Sequence, residues 1–113
     1  MNLSSEDISR IQQVYDLIKA QPERKHDQNT LSRLAGMGHT KLHESFKFLY
    51  QISIARFKLE HSMRKAKAML ADGRMIKEVS VALGYNTVAN FSRAFFKCFG
   101  ERPADYRARK YRG

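Results

Sequence analysis

The run Thr87-Val88-Ala89-Asn90, followed by Arg93 and Lys97, carries side chains suited to recognition rather than to bond breaking. The Arg93 guanidinium can bond O6 and N7 of a guanine together, and the Asn90 carboxamide can pair with adenine or turn toward a phosphate. Val88 and Ala89 can touch a thymine methyl. Lys97 can neutralise phosphate, and Thr87 with the free amides after it can hold a phosphate oxygen at a helix start. A second set lies upstream: His39, Thr40, Lys41, His43, Glu44 and Lys47. Lys41 and Lys47 are phosphate contacts in this reading, and His39, Thr40, His43 and Glu44 face base edges. Glu44 is the discordant member. It can accept from cytosine N4, and otherwise it repels phosphate or pairs with Lys41 or Lys47 along its own helix, the reading preferred here.

Catalytic constellations are lacking. The four histidines are His26, His39, His43 and His61, and only His39 and His43 share a helix face, at i, i+4. With no acid or thiol placed beside them, neither a metal site nor a general base is expected. The single cysteine, Cys98, cannot form an internal disulfide and reads as a small packed side chain. The chain is expected to be no enzyme, to carry no cofactor or metal, and to be cytoplasmic. No apolar stretch approaches the ~20 residues of a membrane span, and Met1-Asn2-Leu3-Ser4-Ser5 lacks the form of a signal peptide.

Two elements of the same kind must position the two polar sets, because residues 79–100 repeat residues 31–51. Leu31-Ser32 is echoed by Val79-Ser80, Gly36-Met37 by Gly84-Tyr85, and Leu42, Phe46 and Tyr50 by Phe91, Phe95 and Phe99. The offset is 48 up to the glycine turn and 49 after it, so the second turn has gained one residue. Apolar residues recur at helical spacing almost throughout, which predicts an all-α fold of seven helices. Helix 1 runs from the Ser4-Ser5 cap to about Ala20, with Ile8, Ile11, Val14, Tyr15 and Ile18 as its stripe. Helix 2 is capped by Asp27, buries Leu31, Leu34 and Ala35, and ends at Gly36. Helix 3 starts near His39 and buries Leu42, Phe46 and Leu49. Ser53 caps a long helix 4 over about 54–71, with Phe57, Ala66, Met69 and Leu70 on its apolar side. Helix 5 covers about 76–83, with Ile76, Val79 and Leu83 inward. Thr87 caps helix 6, which buries Phe91, Phe95 and Phe99, and Pro103 opens a last helix reaching about Tyr111. A glycine between two short helices, the second with a polar N-terminal end, is the pattern of a helix-turn-helix. The organisation expected is one domain over 1–113: a first lobe at about 5–52, a linker helix at about 53–72 and a second lobe at about 75–111. Helix 4, at ~1.5 Å per residue, would span roughly 27 Å, against roughly 34 Å between successive major-groove faces on one side of a duplex.

The chain of 113 residues carries a net charge of +10, and the charge is unevenly placed. Residues 1–60 hold 9 basic and 7 acidic side chains, residues 61–113 hold 12 and 4. Such a balance concerns partners rather than fold and points to a polyanion. A basic protein-interaction or RNA-binding module is the alternative, though the aromatics of 91–111 fall on the buried stripe. A membrane-surface helix would need a free apolar face, and that face is used for packing.

Ile76 through Tyr85, then Phe91-Ser92-Arg93-Ala94-Phe95-Phe96-Lys97, then Phe99-Gly100 and Pro103-Ala104-Asp105-Tyr106-Arg107 resemble the signature of AraC/XylS-type transcription regulators. Leu31 through Phe46-Lys47 resembles the weaker first helix-turn-helix of that family, so the resemblance covers about 5–108. Gly36-Met37 through Lys41-Leu42, with Phe46-Lys47-Phe48-Leu49-Tyr50, is similar to a branch associated with siderophore and iron regulation. The resemblance implies a seven-helix DNA-binding domain whose two lobes read adjacent major-groove segments of promoter DNA. It implies an activator that touches RNA polymerase. It also implies an effector-binding or dimerisation domain, which these residues do not include. The chain departs from the family pattern at Glu44, at Gln51 in place of a glycine, at Ser62 in place of an arginine, and at Gly38 and Met75 in place of serine-like caps.

Overall fold

The computed structural model describes residues 1–111, and every regular element among them is helical: α1 (Ser5–Ala20), α2 (Gln28–Ala35), α3 (His39–Tyr50), α4 (Ile54–Ala71), α5 (Ile76–Ala82), α6 (Val88–Phe99) and α7 (Pro103–Lys110). The chain forms two compact units. The first comprises Met1–Gln21 and His26–Lys58; the second comprises Pro22–Lys25 with residues 59–111. The long helix α4 is thus divided after Lys58, its first five residues belonging to one unit and the rest to the other.

In the first unit the helix starts follow from capping. The Ser4 hydroxyl accepts from the Asp7 amide at 3.0 Å and the Asp7 carboxylate accepts from the Ser4 amide at 3.3 Å, a reciprocal box that satisfies two otherwise unpaired donors. Asp27 caps α2 through the Thr30 amide at 2.8 Å. Ser53 caps α4 through the Arg56 amide at 3.1 Å. The core is closed by Ile11, Val14 and Ile18 of α1, Leu31 and Ala35 of α2, Leu42 and Phe46 of α3, and Ile54 and Phe57 of α4. Tyr15 lies against it, stacked on Phe57 with centroids 4.6 Å apart. Ile8 was expected on the α1 stripe but is 41% exposed. It stands one turn from the helix start, three residues before Ile11, the first sealed position of the stripe. Leu34 and Leu49 flank the core half-buried.

The second unit closes around Met63, Ala66 and Leu70 of α4, Val79 of α5, Phe91 and Phe95 of α6, and Tyr106 of α7. Phe95 is its centre: ring centroids of Phe91, Phe99 and Tyr106 lie 6.0, 4.8 and 5.8 Å away. Phe99, expected inside, is half-buried and roofed by the Lys67 ammonium 3.8 Å above its ring, a cation–π contact that keeps the charge in water and the stem on apolar surface. Ile76, Met69 and Leu83 pack at the core's rim. Arg107 reaches back and donates to the carbonyls of Gly73 and Arg74, both at 2.9 Å, so the family-like Tyr106-Arg107 pair serves as one core residue and one clamp on the end of α4.

The repeated glycine turns have one geometry. Gly36 and Gly84 both adopt positive φ, 64° and 83°. In each, the glycine amide bonds the carbonyl three residues back, and the next amide reaches five residues back: Met37 to Ser32 at 3.2 Å, Tyr85 to Ser80 at 3.0 Å. This is the Schellman closure, which favours an apolar residue after the glycine, and Met37 and Tyr85 occupy that place. The added residue of the second turn is accounted for as well, since α3 begins three residues after its glycine and α6 four.

Candidate nucleic-acid interface

Each unit holds one polar helix behind its glycine turn, and the apolar stripe beneath fixes which side chains face out. With Leu42 and Phe46 sealed, α3 exposes His39, Thr40, Lys41, Glu44 and Lys47. With Phe91 and Phe95 sealed, α6 exposes Val88, Ala89, Asn90, Arg93 and Lys97, and Asn86 and Thr87 are exposed just before it. All the residues singled out from the sequence therefore reach the surface, His43 only in part.

The α6 end is the better organised. Thr87 Oγ1 accepts from the Asn90 amide at 3.0 Å, which stops the helix cleanly and leaves the Val88 and Ala89 amides as the open donors. The Thr87 carbonyl in turn accepts from the buried Ser80 Oγ at 3.3 Å, tying the start of α6 to α5. One turn in, the Arg93 guanidinium donates to Asn90 Oδ1, so the two side chains stand together on the exposed face.

The α3 end is looser. Gly38 offers no side chain to cap it. Ser32, the counterpart of Ser80, has no hydrogen-bond partner for its buried hydroxyl among the described residues. Lys41 is drawn toward α1, its ammonium 3.5 Å from Asp7 Oδ2. Glu44 makes no ion pair among the described residues, so the pairing with Lys41 or Lys47 expected from the sequence is not formed: Lys41 has taken an acid on another helix. His39 and His43 are in edge-to-face contact, ring centroids 4.0 Å apart. His43 also lines a small recess of about 130 Å³ with Gln28, Leu31, Ile54 and Lys58. Burial first, then the neighbouring His39 and Lys58 charges, hold its imidazole below the usual histidine value. Among the described residues no three His, Cys, Asp or Glu side chains gather as a metal site.

Beside Arg93 and Lys97 the surface continues into an open groove of about 470 Å³, lined also by Ser92, Phe96 and Arg102. Ser92, Phe96 and Arg102 were not singled out from the sequence. The signal was available for Phe96: it directly follows Phe95 and so falls about 100° off the buried Phe91-Phe95-Phe99 stripe.

A family model described as a helix-turn-helix domain matches residues 31–109, from the first turn through α7. The chain belongs to the AraC/XylS-type helix-turn-helix family. This is a family of DNA-binding regulator domains rather than a class of enzymes. Solved structures share the fold at low sequence identity. The C-terminal domain of AraT, a response regulator from Geobacillus stearothermophilus, is 22% identical, with 100% of this chain and 92% of that one covered and a TM-score of 0.84. A transcriptional regulator of the AraC-type DNA-binding class from Chromobacterium violaceum is 18% identical, with coverages of 96% and 98% and a TM-score of 0.80. The DNA-binding domain of AdpA, a global transcriptional factor solved in complex with a target DNA, is 20% identical, with coverages of 88% and 91% and a TM-score of 0.80. No curated protein matches the sequence. Among the described residues no helix is long and apolar enough to cross a membrane.

Proposed function

We propose that this AraC-type domain binds double-stranded promoter DNA sequence-specifically, with α6 as the principal reader and α3 as the second. The observation that carries the reading is the exposed face of α6, where a side-chain cap and an Asn90–Arg93 hydrogen bond present a guanidinium and a carboxamide at the helix's N-terminal end. Arg93 and Asn90 read base edges and Val88 and Ala89 touch thymine methyls, while Lys97, Thr87 and the adjoining amides hold phosphate. On α3, His39, Thr40, His43 and Glu44 face bases, and Lys41 and Lys47 face phosphate. Lys41 exchanges Asp7 for phosphate on binding. The two helices read adjacent major-groove segments.

The domain acts in the cytoplasm as a transcription activator, without chemistry of its own, and makes contact with RNA polymerase. An effector-binding or dimerisation domain works with it. The test of the binding mode is its salt dependence. Three lysines on phosphate alone give a slope of log affinity against log salt of about −2.7, and further contacts steepen it. A flat response on a promoter duplex would favour a protein partner instead.

A further inference from the structure

The groove beside α6 contains an exposed aromatic ring in a cationic frame. Phe96 is 54% exposed although its helix has a core to fill, and Arg93, Lys97 and Arg102 surround it with Ser92 between. Among the described residues no carboxylate lines the groove. Arg102 is paired with Asp105, exposed and 3.5 Å away across one turn, a contact weak enough to be exchanged, while Glu101 is held by Arg109 at 2.8 Å. The surface is continuous with the proposed reading face, because Arg93 and Lys97 belong to both.

An apolar ring flanked by cations at about the spacing of adjacent helix turns is complementary to a ligand that alternates apolar and anionic groups. A deoxyribose–phosphate strand has that alternation. A helix entering the major groove by its N-terminal end leaves through the flanking backbone at its C-terminal half, which here means Phe96, Lys97 and the start of α7. We propose that Ser92, Phe96 and Arg102 form a backbone-gripping subsite, with the Phe96 ring packed on a deoxyribose and Arg102, together with Lys97, on the phosphates either side. The subsite rests on the DNA-binding reading and adds to it a sequence-independent hold at the end of α6 opposite the base-reading end. Ser92, half-buried one turn before Phe96, can donate its hydroxyl to the same strand.

The two kinds of contact have different signatures. Phe96→Ala removes apolar area and no charge. It should weaken binding about 3- to 10-fold, equally on a specific and a scrambled duplex, and leave the salt slope unchanged. Phe96→Leu, which keeps an apolar contact, should recover most of that loss. Arg102→Ala should weaken both duplexes and make the slope shallower by about 0.9. The chain is assayed by fluorescence anisotropy across a salt series, with Arg93→Ala as a control. If wild type binds specifically and Arg93→Ala weakens it, yet Phe96→Ala and Arg102→Ala bind both duplexes as wild type does, the subsite is wrong and the DNA reading stands. If Phe96→Ala loses affinity on the specific duplex alone, Phe96 reads bases and the backbone assignment is overturned. If wild type itself binds neither duplex, the underlying reading fails. If Phe96→Ala changes only self-association, the groove is a protein-docking face and the proposal falls.

Discussion

Replacing Arg93 by alanine separates recognition from folding more cleanly than any other change on this surface. The side chain is exposed and hydrogen-bonds Asn90 Oδ1, so its removal opens no part of the core and leaves no buried group unpaired. A surface substitution of this kind alters stability by at most about 0.5 kcal/mol. A bidentate arginine–guanine contact contributes about 1–3 kcal/mol of discrimination, roughly 5- to 150-fold in affinity at 25 °C. The Asn90 bond adds a second quantity. It restrains the guanidinium before binding, and on the base-reading proposal it reduces the rotamer entropy lost on binding. Asn90→Ala keeps the Thr87 cap, which uses only the backbone amide of residue 90. The double-mutant cycle should therefore show a coupling of about 0.5–1 kcal/mol between positions 90 and 93. Anisotropy titrations on a selected and a scrambled duplex at one salt concentration, with thermal melts alongside, measure every term. Equal loss on both duplexes would refute base reading and reduce Arg93 to a phosphate contact. Zero coupling would refute the claim that Asn90 organises it.

Three further outcomes are expected. Phe95→Ala should cost about 3–5 kcal/mol, because the ring is fully sealed among Phe91, Phe99 and Tyr106, and an unchanged urea midpoint would contradict that packing. Gln51, at φ 59° the one non-glycine residue with positive φ among the described residues, should be improved by glycine. Relief of about 1–2 kcal/mol of left-handed strain, less about 0.5–1 kcal/mol of chain entropy, leaves a gain near 0.5 kcal/mol; a loss would show that its carboxamide bond to the Phe48 carbonyl outweighs the strain. His43, held below its ordinary value by burial and by His39 and Lys58, binds its proton less readily folded than unfolded. Its contribution is intact above the unfolded value of about 6.5 and is lost as pH falls toward the folded one, so His43→Gln should flatten the stability profile on the acid side, as followed by melts between pH 7 and 5.

Helix identities were legible because capping and turn chemistry are local. Ser4, Asp27, Ser53 and Thr87 each cap the helix assigned to them, and Gly36, Gly84 and Gly100 each end one. Burial was less legible where one helix serves two cores. A single stripe on α4 placed Phe57 with Ala66 and Leu70; in the structure Phe57 and Ile54 pack in the first core, and Ala66 and Leu70 pack with Met63 in the second. Ile54 and Met63 were passed over because periodicity alone cannot say where a helix changes partner. Side-chain pairing was least legible. Lys41 meets Asp7, 34 residues away, which no spacing rule along α3 could anticipate, and Glu44 is left facing solvent as a result. The two polar sets were legible as exposed faces; the continuation into Phe96 and Arg102 was not, because Arg102 comes from the start of another helix.

The central claim, that two repeated helix-turn-helix units read two segments of one duplex, is tested most directly by selecting bound duplexes from a random DNA pool. The account predicts a bipartite site whose half-sites lie about one helical turn apart, with the half contacted by Arg93 the better defined and a guanine within it that loses its preference in Arg93→Ala. Recovery of unenriched sequence, or of one short half-site that Arg93→Ala leaves unchanged, would contradict it.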